Sequence, residues 1–331
     1  MSSSGPIDVT GIGNAIVDVL AHADDAFLER QGLVKGTMAL IDEARTHELY
    51  DQMGQGVEVS GGSCANTLAG IAALGGRAAF VGKVCDDQLG EVFSHDIRAV
   101  GVSYETAPIT GGASTARCLI LVTPDAQRTM NTYLGACRDL SPDDIDDELV
   151  RRSQVTYMEG YLWDPPGAKE AFLKASRIAE QAGNKTSLSL SDPFCVERHR
   201  KEFRNLVDEH VDILFANEVE ICSLYEVERF EDAVAAVRGR CDVTVLTRSE
   251  RGSVILVGDE THEVPAEKVA RVVDTTGAGD LYAAGFLYGY TRGKHPAECG
   301  RLGAVCAAEI VSHFGARPEA NLAELAAGKL A

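Results

Sequence analysis

Long apolar runs, paired cysteines and surplus positive charge are missing from this 331-residue chain, and each absence removes a class of function. An α-helical membrane span needs about 18 consecutive apolar residues, and no such run occurs. The opening residues Met1-Ser2-Ser3-Ser4-Gly5-Pro6 carry no basic cluster followed by an apolar stretch, so a secretory signal is not expected. Nine cysteines are scattered without a C-x-x-C pair or histidines at zinc spacing. They read as reduced, mostly buried thiols of a cytoplasmic protein. Lys and Arg number 31 against 50 Asp and Glu, a formal net charge of −19. Nucleic acid and anionic membranes are held by cationic patches that neutralise phosphates, so neither is an expected partner. Repeats, low-complexity tracts and obvious linkers are absent as well. What is present is 45% apolar residues, in a chain long enough for one large core or two smaller ones.

The most informative stretch is Asp274-Thr275-Thr276-Gly277-Ala278-Gly279-Asp280, which runs into a helix-like segment from Leu281 to Thr291. The first N–H groups of a helix lack intrahelical acceptors and sit at the positive end of its dipole, so a glycine-lined start admits a phosphate. Asp280 in the first turn is placed to take a proton from a hydroxyl held there, as transfer of a phosphoryl group from ATP to an alcohol requires. The alternative is a plain helix start carrying an acidic residue. A second cluster, Ser60-Gly61-Gly62-Ser63-Cys64-Ala65-Asn66-Thr67, precedes an apolar helical run that stops at Gly75-Gly76. Small residues there let a ligand lie against bare backbone, and Asn66 offers a donor and an acceptor to hydroxyls.

Short strands buried on both faces alternate with helical segments. Strands are expected at Ile7–Gly13, Ala78–Val84, Val155–Met158, Thr186–Leu190, Ile213–Phe215 and Val243–Leu246, and helices at Ala168–Gln181, Glu218–Tyr225, Phe230–Val237 and Pro296–Ser312. This rhythm predicts an α/β fold, a three-layer α/β/α arrangement around a mostly parallel sheet. Gly36–Asp42 and Val102–Leu134 instead alternate as strands without helices between them, which calls for a separate small sheet placed as a lid. Gly11-Ile12-Gly13 lacks the third glycine of a dinucleotide fingerprint, and the residues after it read as more strand. Asn14 and Asp18, four apart, then fall on one side of an extended segment. A carboxylate in that place suits the two adjacent hydroxyls of a furanose or ribonucleoside, the alternative being an ordinary strand-end Asp.

Together these motifs resemble the ribokinase-like family of carbohydrate and nucleoside kinases, with its Gly-Gly-x-x-x-Asn element early and its D-T-x-G-A-G-D element about two hundred residues later. The resemblance spans Asp8 to about Phe314 and implies a single kinase domain over 1–331, with a lid of segments about 14–20, 34–42 and 102–135. Gly11-x-Gly13-Asn14-x-x-x-Asp18 matches adenosine kinases more than simple sugar kinases, implying transfer to the 5′-hydroxyl of a purine ribonucleoside, with ribose or fructose as the alternative acceptor. It implies Asn14, Asp18, Gly61, Gly62, Ser63 and Asn66 on the sugar, and Met38, Leu40, Cys118 and Tyr161 about the base. Met38 stands where relatives often carry a polar side chain, and Arg117 interrupts a strand that is more uniformly apolar in adenosine kinases. Further implied are Asn217, Thr247, Gly252, Thr275, Thr276, Gly277 and Gly279 for ATP, with Ser249 standing where the family's T-x-G turn has glycine. Glu220, in Asn217-Glu218-Val219-Glu220, falls where the family holds Mg2+ through water, unless it merely starts a helix. Catalysis falls to Asp280 with Gly277, Ala278 and Gly279. Arg128 matches a lid arginine of adenosine kinases, or else is an exposed turn residue. A monovalent cation such as K+ is a further candidate cofactor, and the chain is expected as a monomer or homodimer.

Overall fold

The computed structural model describes residues 5–125 and 127–330. Nine strands form the large sheet: β1 (Ile7–Ile12), β5 (Ala78–Val81), β6 (Ser103–Tyr104), β9 (Ser153–Glu159), β10 (Lys185–Ser189), β11 (Ile213–Asn217), β12 (Val243–Thr247), β13 (Ser253–Val257) and β14 (Glu260–Val264). Their order is β14-β13-β12-β11-β10-β9-β1-β5-β6, parallel throughout except where β13 and β14 add an antiparallel edge. Five strands form the small sheet: β2 (Ile16–His22), β3 (Met38–Leu40), β4 (Gly56–Gly61), β7 (Ala116–Val122) and β8 (Arg128–Tyr133), in the order β3-β8-β7-β2-β4.

Among the described residues there are also twelve α-helices. They are α1 (Asp25–Arg30), α2 (Glu43–Gln52), α3 (Ser63–Ala73), α4 (Gln88–Ala99), α5 (Asp147–Arg151), α6 (Pro166–Gln181), α7 (Pro193–Glu209), α8 (Glu218–Tyr225), α9 (Phe230–Val237), α10 (Ala278–Tyr290), α11 (Pro296–Ile310) and α12 (Leu322–Leu330). Helix α10 packs between α3 and α11, whereas α5 to α9 form the second helical group, giving a three-layer α/β/α body. The apolar runs behave as both-face burial requires. All six residues of β1 are buried, and α10 hides seven consecutive residues from Leu281 to Leu287.

The small sheet departs from expectation in two places. Strand β6, inside the 102–135 segment, pairs with β5 at the edge of the large sheet, and β4, which carries no strong strand signal, closes the small one. Seven of the nine cysteines are buried and all are free. Among the described residues no helix is long and apolar enough to cross a membrane.

Candidate active site

The carboxyl ends of the parallel strands open onto one cavity of about 1370 Å³. Open α/β sheets receive ligands at that end, where the strand order reverses, which here is between β1 and β9. A pocket for one small molecule measures roughly 300–1000 Å³, so this cavity has room for two.

One wall is the start of α10. Gly277 holds φ +77°, and a Cβ there would meet the Cβ of Ala316 at 2.9 Å, whereas a Cβ on Gly279 would meet open space. The first bond of the α-helical ladder runs from Leu281 N to Gly277 O at 2.8 Å, so the N–H groups of Gly279 and Asp280 precede that ladder. Ala278 differs from expectation, because its N–H is turned to Thr275 O at 3.2 Å. Asp274 pins the preceding loop, accepting from Thr276 N at 3.1 Å, Thr276 Oγ1 at 2.8 Å and Gly315 N at 3.0 Å. Arg128, arriving on β8, donates to Thr276 Oγ1 at 2.9 Å, pairs with Asp274 and lies over the Phe314 ring. It is therefore not an exposed turn arginine.

Asp280 accepts from Ser63 Oγ at 2.6 Å and from Asn66 Nδ2 at 3.0 Å, both in the first turn of α3. Burial pushes its pKa upward, against those two bonds and the charge of Arg317. Asn66 Oδ1 is buried with no partner in the protein. Gly62 opens α3 with φ +96°, and a Cβ there would meet Asn14 O at 2.4 Å. Asp18 faces the cavity from β2, and burial lifts its pKa to about 6, with Arg317 and Arg128 opposing the rise. Gly61 permits that approach, since a Cβ would sit 2.4 Å from Asp18 Oδ2. The expected extended run from Asn14 to Asp18 is interrupted. The chain leaves the large sheet after Ile12 and enters the small one at Ile16, so Asn14 reaches the cavity from the junction and Asp18 from the strand.

The small-sheet floor is apolar: Met38 and Leu40 stay 39% and 48% exposed within the cavity wall, beside Cys118, Ile120, Met130 and Leu134. Burial pushes the Cys118 thiol to about 12 and keeps it neutral. Arg117, its neighbour, does not line the cavity; its Nη2 lies 3.4 Å from His47 Nε2, as strand alternation requires. Tyr161 lines another wall. Towards the far end come Asn217, Glu220, Thr247 and Gly252. Gly252 has a packing reason of its own, φ +81° and a Cβ position 2.0 Å from Val264 O. Glu220 does start a helix, accepting from Asn217 N at 2.8 Å and Asn217 Nδ2 at 2.6 Å in a capping box while remaining part of the cavity wall.

A pfkB family carbohydrate kinase model matches residues 32–322. The chain belongs to that family. It is similar to an adenosine kinase from Sinorhizobium meliloti, at 53% identity and a TM-score of 0.92 over 99% of this chain and 100% of that one. A probable sugar kinase from Rhizobium etli is similar at 50% identity and a TM-score of 0.92 over 98% of both chains. Fructokinase-1 of Oryza sativa is 30% identical over 70% of this chain and 73% of its own length. This kinase therefore acts on a carbohydrate or nucleoside acceptor.

Two residues of the site escaped the sequence reading. Glu159, at the end of β9, is 1% exposed, and burial raises its pKa to about 7. Arg317 spends its guanidinium on the Ser60 and Ala65 carbonyls and the Ser60 hydroxyl, 2.8–3.3 Å away, and so holds a positive charge near Asp18 and Asp280. Burial lowers its pKa to about 10, with those two carboxylates opposing. Neither residue stands in a motif, and no local spacing announces them.

Proposed function

We propose that this kinase transfers the γ-phosphoryl group of ATP to the 5′-hydroxyl of a ribonucleoside, with adenosine or another purine nucleoside as acceptor. The observation that carries the reading is the pairing, in one cavity, of the Asp280 helix start with a floor formed by Asp18 and the apolar face of Met38, Leu40, Cys118 and Ile120. A carboxylate beside an apolar platform suits a vicinal diol joined to a base, and a free sugar would leave the platform unused. The high identity to an adenosine kinase supports the same reading.

In the mechanism Asp18, Asn14, Asn66 and the Gly61-Gly62-Ser63 turn hold the sugar, while Tyr161 and the floor hold the base. Asp280 takes the proton of the 5′-hydroxyl as its oxygen forms the bond to the γ-phosphorus and the bond to the bridging oxygen of ADP breaks. Negative charge on the moving group is met by the N–H of Gly279 at the start of α10, behind Gly277 and Ala278, and by Arg128 beside Thr276. Thr275, Thr276, Asn217, Thr247 and Gly252 line the ATP side. Burial lifts the Glu220 pKa to about 7, and the charges of Asp192 and Asp280 add to the rise; Glu220, on the cavity wall, would hold a hard divalent cation through water. Mg2+ held there would supply positive charge against the ATP phosphates. The small sheet acts as a lid that excludes water.

The fructokinase relatives favour a second reading, a sugar acceptor at the same site. ATP turnover against adenosine, inosine, guanosine, cytidine, ribose and fructose separates the two. Ribonucleosides outcompete both sugars if the floor binds a base, and saturable turnover with fructose or ribose alone overturns the nucleoside assignment.

A further inference from the structure

Glu159 sits at the reversal point of the large sheet, where β1 and β9 diverge, and its carboxylate engages two of the connections that pass between the sheets. Oε1 accepts from Asn14 Nδ2 at 2.6 Å, at the junction from β1 to β2. Oε2 accepts from Cys64 N at 2.9 Å, just past the junction from β4 to α3, and from Asn14 N at 3.4 Å. The fit leaves no slack: a Cβ on Gly13 would lie 2.5 Å from Oε2. Ionised, as it is at pH 8, the Glu159 carboxylate accepts and cannot donate, so the Asn14 amide must then turn its NH2 group to Glu159. Its carbonyl oxygen is then the end left for a ligand at the cavity wall.

We propose that Glu159 is a positioning residue for substrate recognition: it fixes the amide of Asn14 so that Asn14 presents an acceptor to a substrate hydroxyl, and it ties that amide to the first turn of α3. That turn carries Ser63 and Asn66, both bonded to Asp280, so one carboxylate sets the spacing between the sugar-binding side and the reacting side. The inference rests on the reading of Asn14 as a sugar ligand. It also predicts what a neutral replacement does. In Glu159→Gln the side-chain oxygen must stay with the backbone donors of Cys64 and Asn14, which cannot turn. The new NH2 group then faces Asn14, forces its amide to flip, and turns a donor towards the substrate.

The test is a double-mutant cycle on the full chain, with Glu159→Gln, Asn14→Ala and the pair, read as KM and kcat for adenosine and KM for ATP. Glu159→Gln raises the adenosine KM about 10- to 100-fold with kcat and the ATP KM within about threefold. In the Asn14→Ala background the same change adds less than about threefold, because its route to the substrate is already cut. Additive effects, or an unchanged adenosine KM in Glu159→Gln, overturn the proposal. Should Asn14→Ala alone leave the adenosine KM unchanged, the reading of Asn14 as a sugar ligand fails, and the inference falls with it. Glu159→Asp keeps the charge but shortens the reach, and serves if Glu159→Gln does not fold. It raises the adenosine KM in the same Asn14-dependent way, and additivity there is equally fatal.

Discussion

Replacing Asp280 by Asn tests the chemistry with little disturbance of the fold. Asp280 receives one hydrogen bond from Ser63 Oγ and one from Asn66 Nδ2. In Asp280→Asn the amide oxygen can keep the Asn66 bond, and the amide NH2 can be accepted by Ser63, whose hydroxyl rotates freely. Both contacts survive, and a carboxylate whose charge is disfavoured by burial is removed, so Tm at pH 8 should equal or exceed that of the parent. What disappears is the proton acceptor. General-base catalysis contributes about 10²- to 10⁴-fold, or roughly 2.7–5.4 kcal/mol of barrier. Steady-state ADP release should therefore show kcat falling at least about 100-fold, while calorimetric titration of adenosine gives a Kd within about threefold of the parent. A folded variant with kcat within about tenfold of the parent, or a Kd that rises in step with the fall in kcat, would refute the assignment of Asp280 as base.

Arg128→Ala should lower kcat about 100-fold with nucleoside affinity nearly unchanged if, as proposed, the guanidinium beside Thr276 meets developing phosphate charge; equal loss in Kd and kcat would place it in substrate binding instead. A 2′-deoxyribonucleoside should lose about 100-fold in kcat/KM relative to its ribonucleoside, since Asp18 is left with one hydroxyl in a buried site, and equal kcat/KM values would remove Asp18 from the diol. Activity and ligand-free stability should respond to pH in opposite directions. On the proposed reading Asp18, at about 6, binds the substrate and Glu159, at about 7, positions Asn14, both as carboxylates, so kcat/KM should fall as pH drops from 8 to 5.5. Their folded pKa values lie above the unfolded ones, so the folded state keeps protons that the unfolded chain releases, and stability declines as pH rises from 3.8 to about 6 for Asp18 and from 4.5 to about 7 for Glu159, by at most about 3.4 kcal/mol for Glu159. Ligand-free Tm measured at pH 5.5 and 8 checks the sign against the activity profile. Saturating adenosine should slow hydrogen exchange in 36–42 and 115–134 and leave β9 to β11 unchanged, and untouched exchange in both segments would end the lid reading.

What was legible in the sequence was what neighbouring residues encode. The positive-φ glycines 62 and 277, each followed by a helix, announce themselves locally, as does the capping box of Asn217 and Glu220. Parallel strands such as β5 and β11 were readable because both-face burial makes them largely apolar runs, whereas β10, Lys185–Ser189, has a single apolar residue. Illegible were features created by contacts far apart in sequence. Ser63 meets Asp280 across 217 positions and Asn14 meets Glu159 across 145, and nothing in either neighbourhood specifies the partner. Strand β4 was hidden because Gly56-Val57-Glu58-Val59-Ser60-Gly61 begins and ends in glycine and leaves its first two residues exposed. The reach from Asn14 to Asp18 looked like one strand because a period of two continues through a junction that only tertiary structure can reveal.

The small sheet is woven from pieces of chain that the large sheet interrupts. Its central strands, β2 and β7, pair in parallel from Ile16–Ala116 to His22–Val122, and β4 to β7 are separated by α3, β5, α4 and β6. Each piece pairs locally, β2 with β4 and β7 with β8 in antiparallel fashion, but the β2–β7 pairing that joins the two pieces is a contact far apart in sequence. Closing a loop of about 100 residues is an entropic cost met only after the large sheet has brought the ends together. The substrate-facing surface is thus the part of the molecule expected to form last during folding, and a ligand that binds Asp18 and Asp280 together would speed that final docking or slow its reversal.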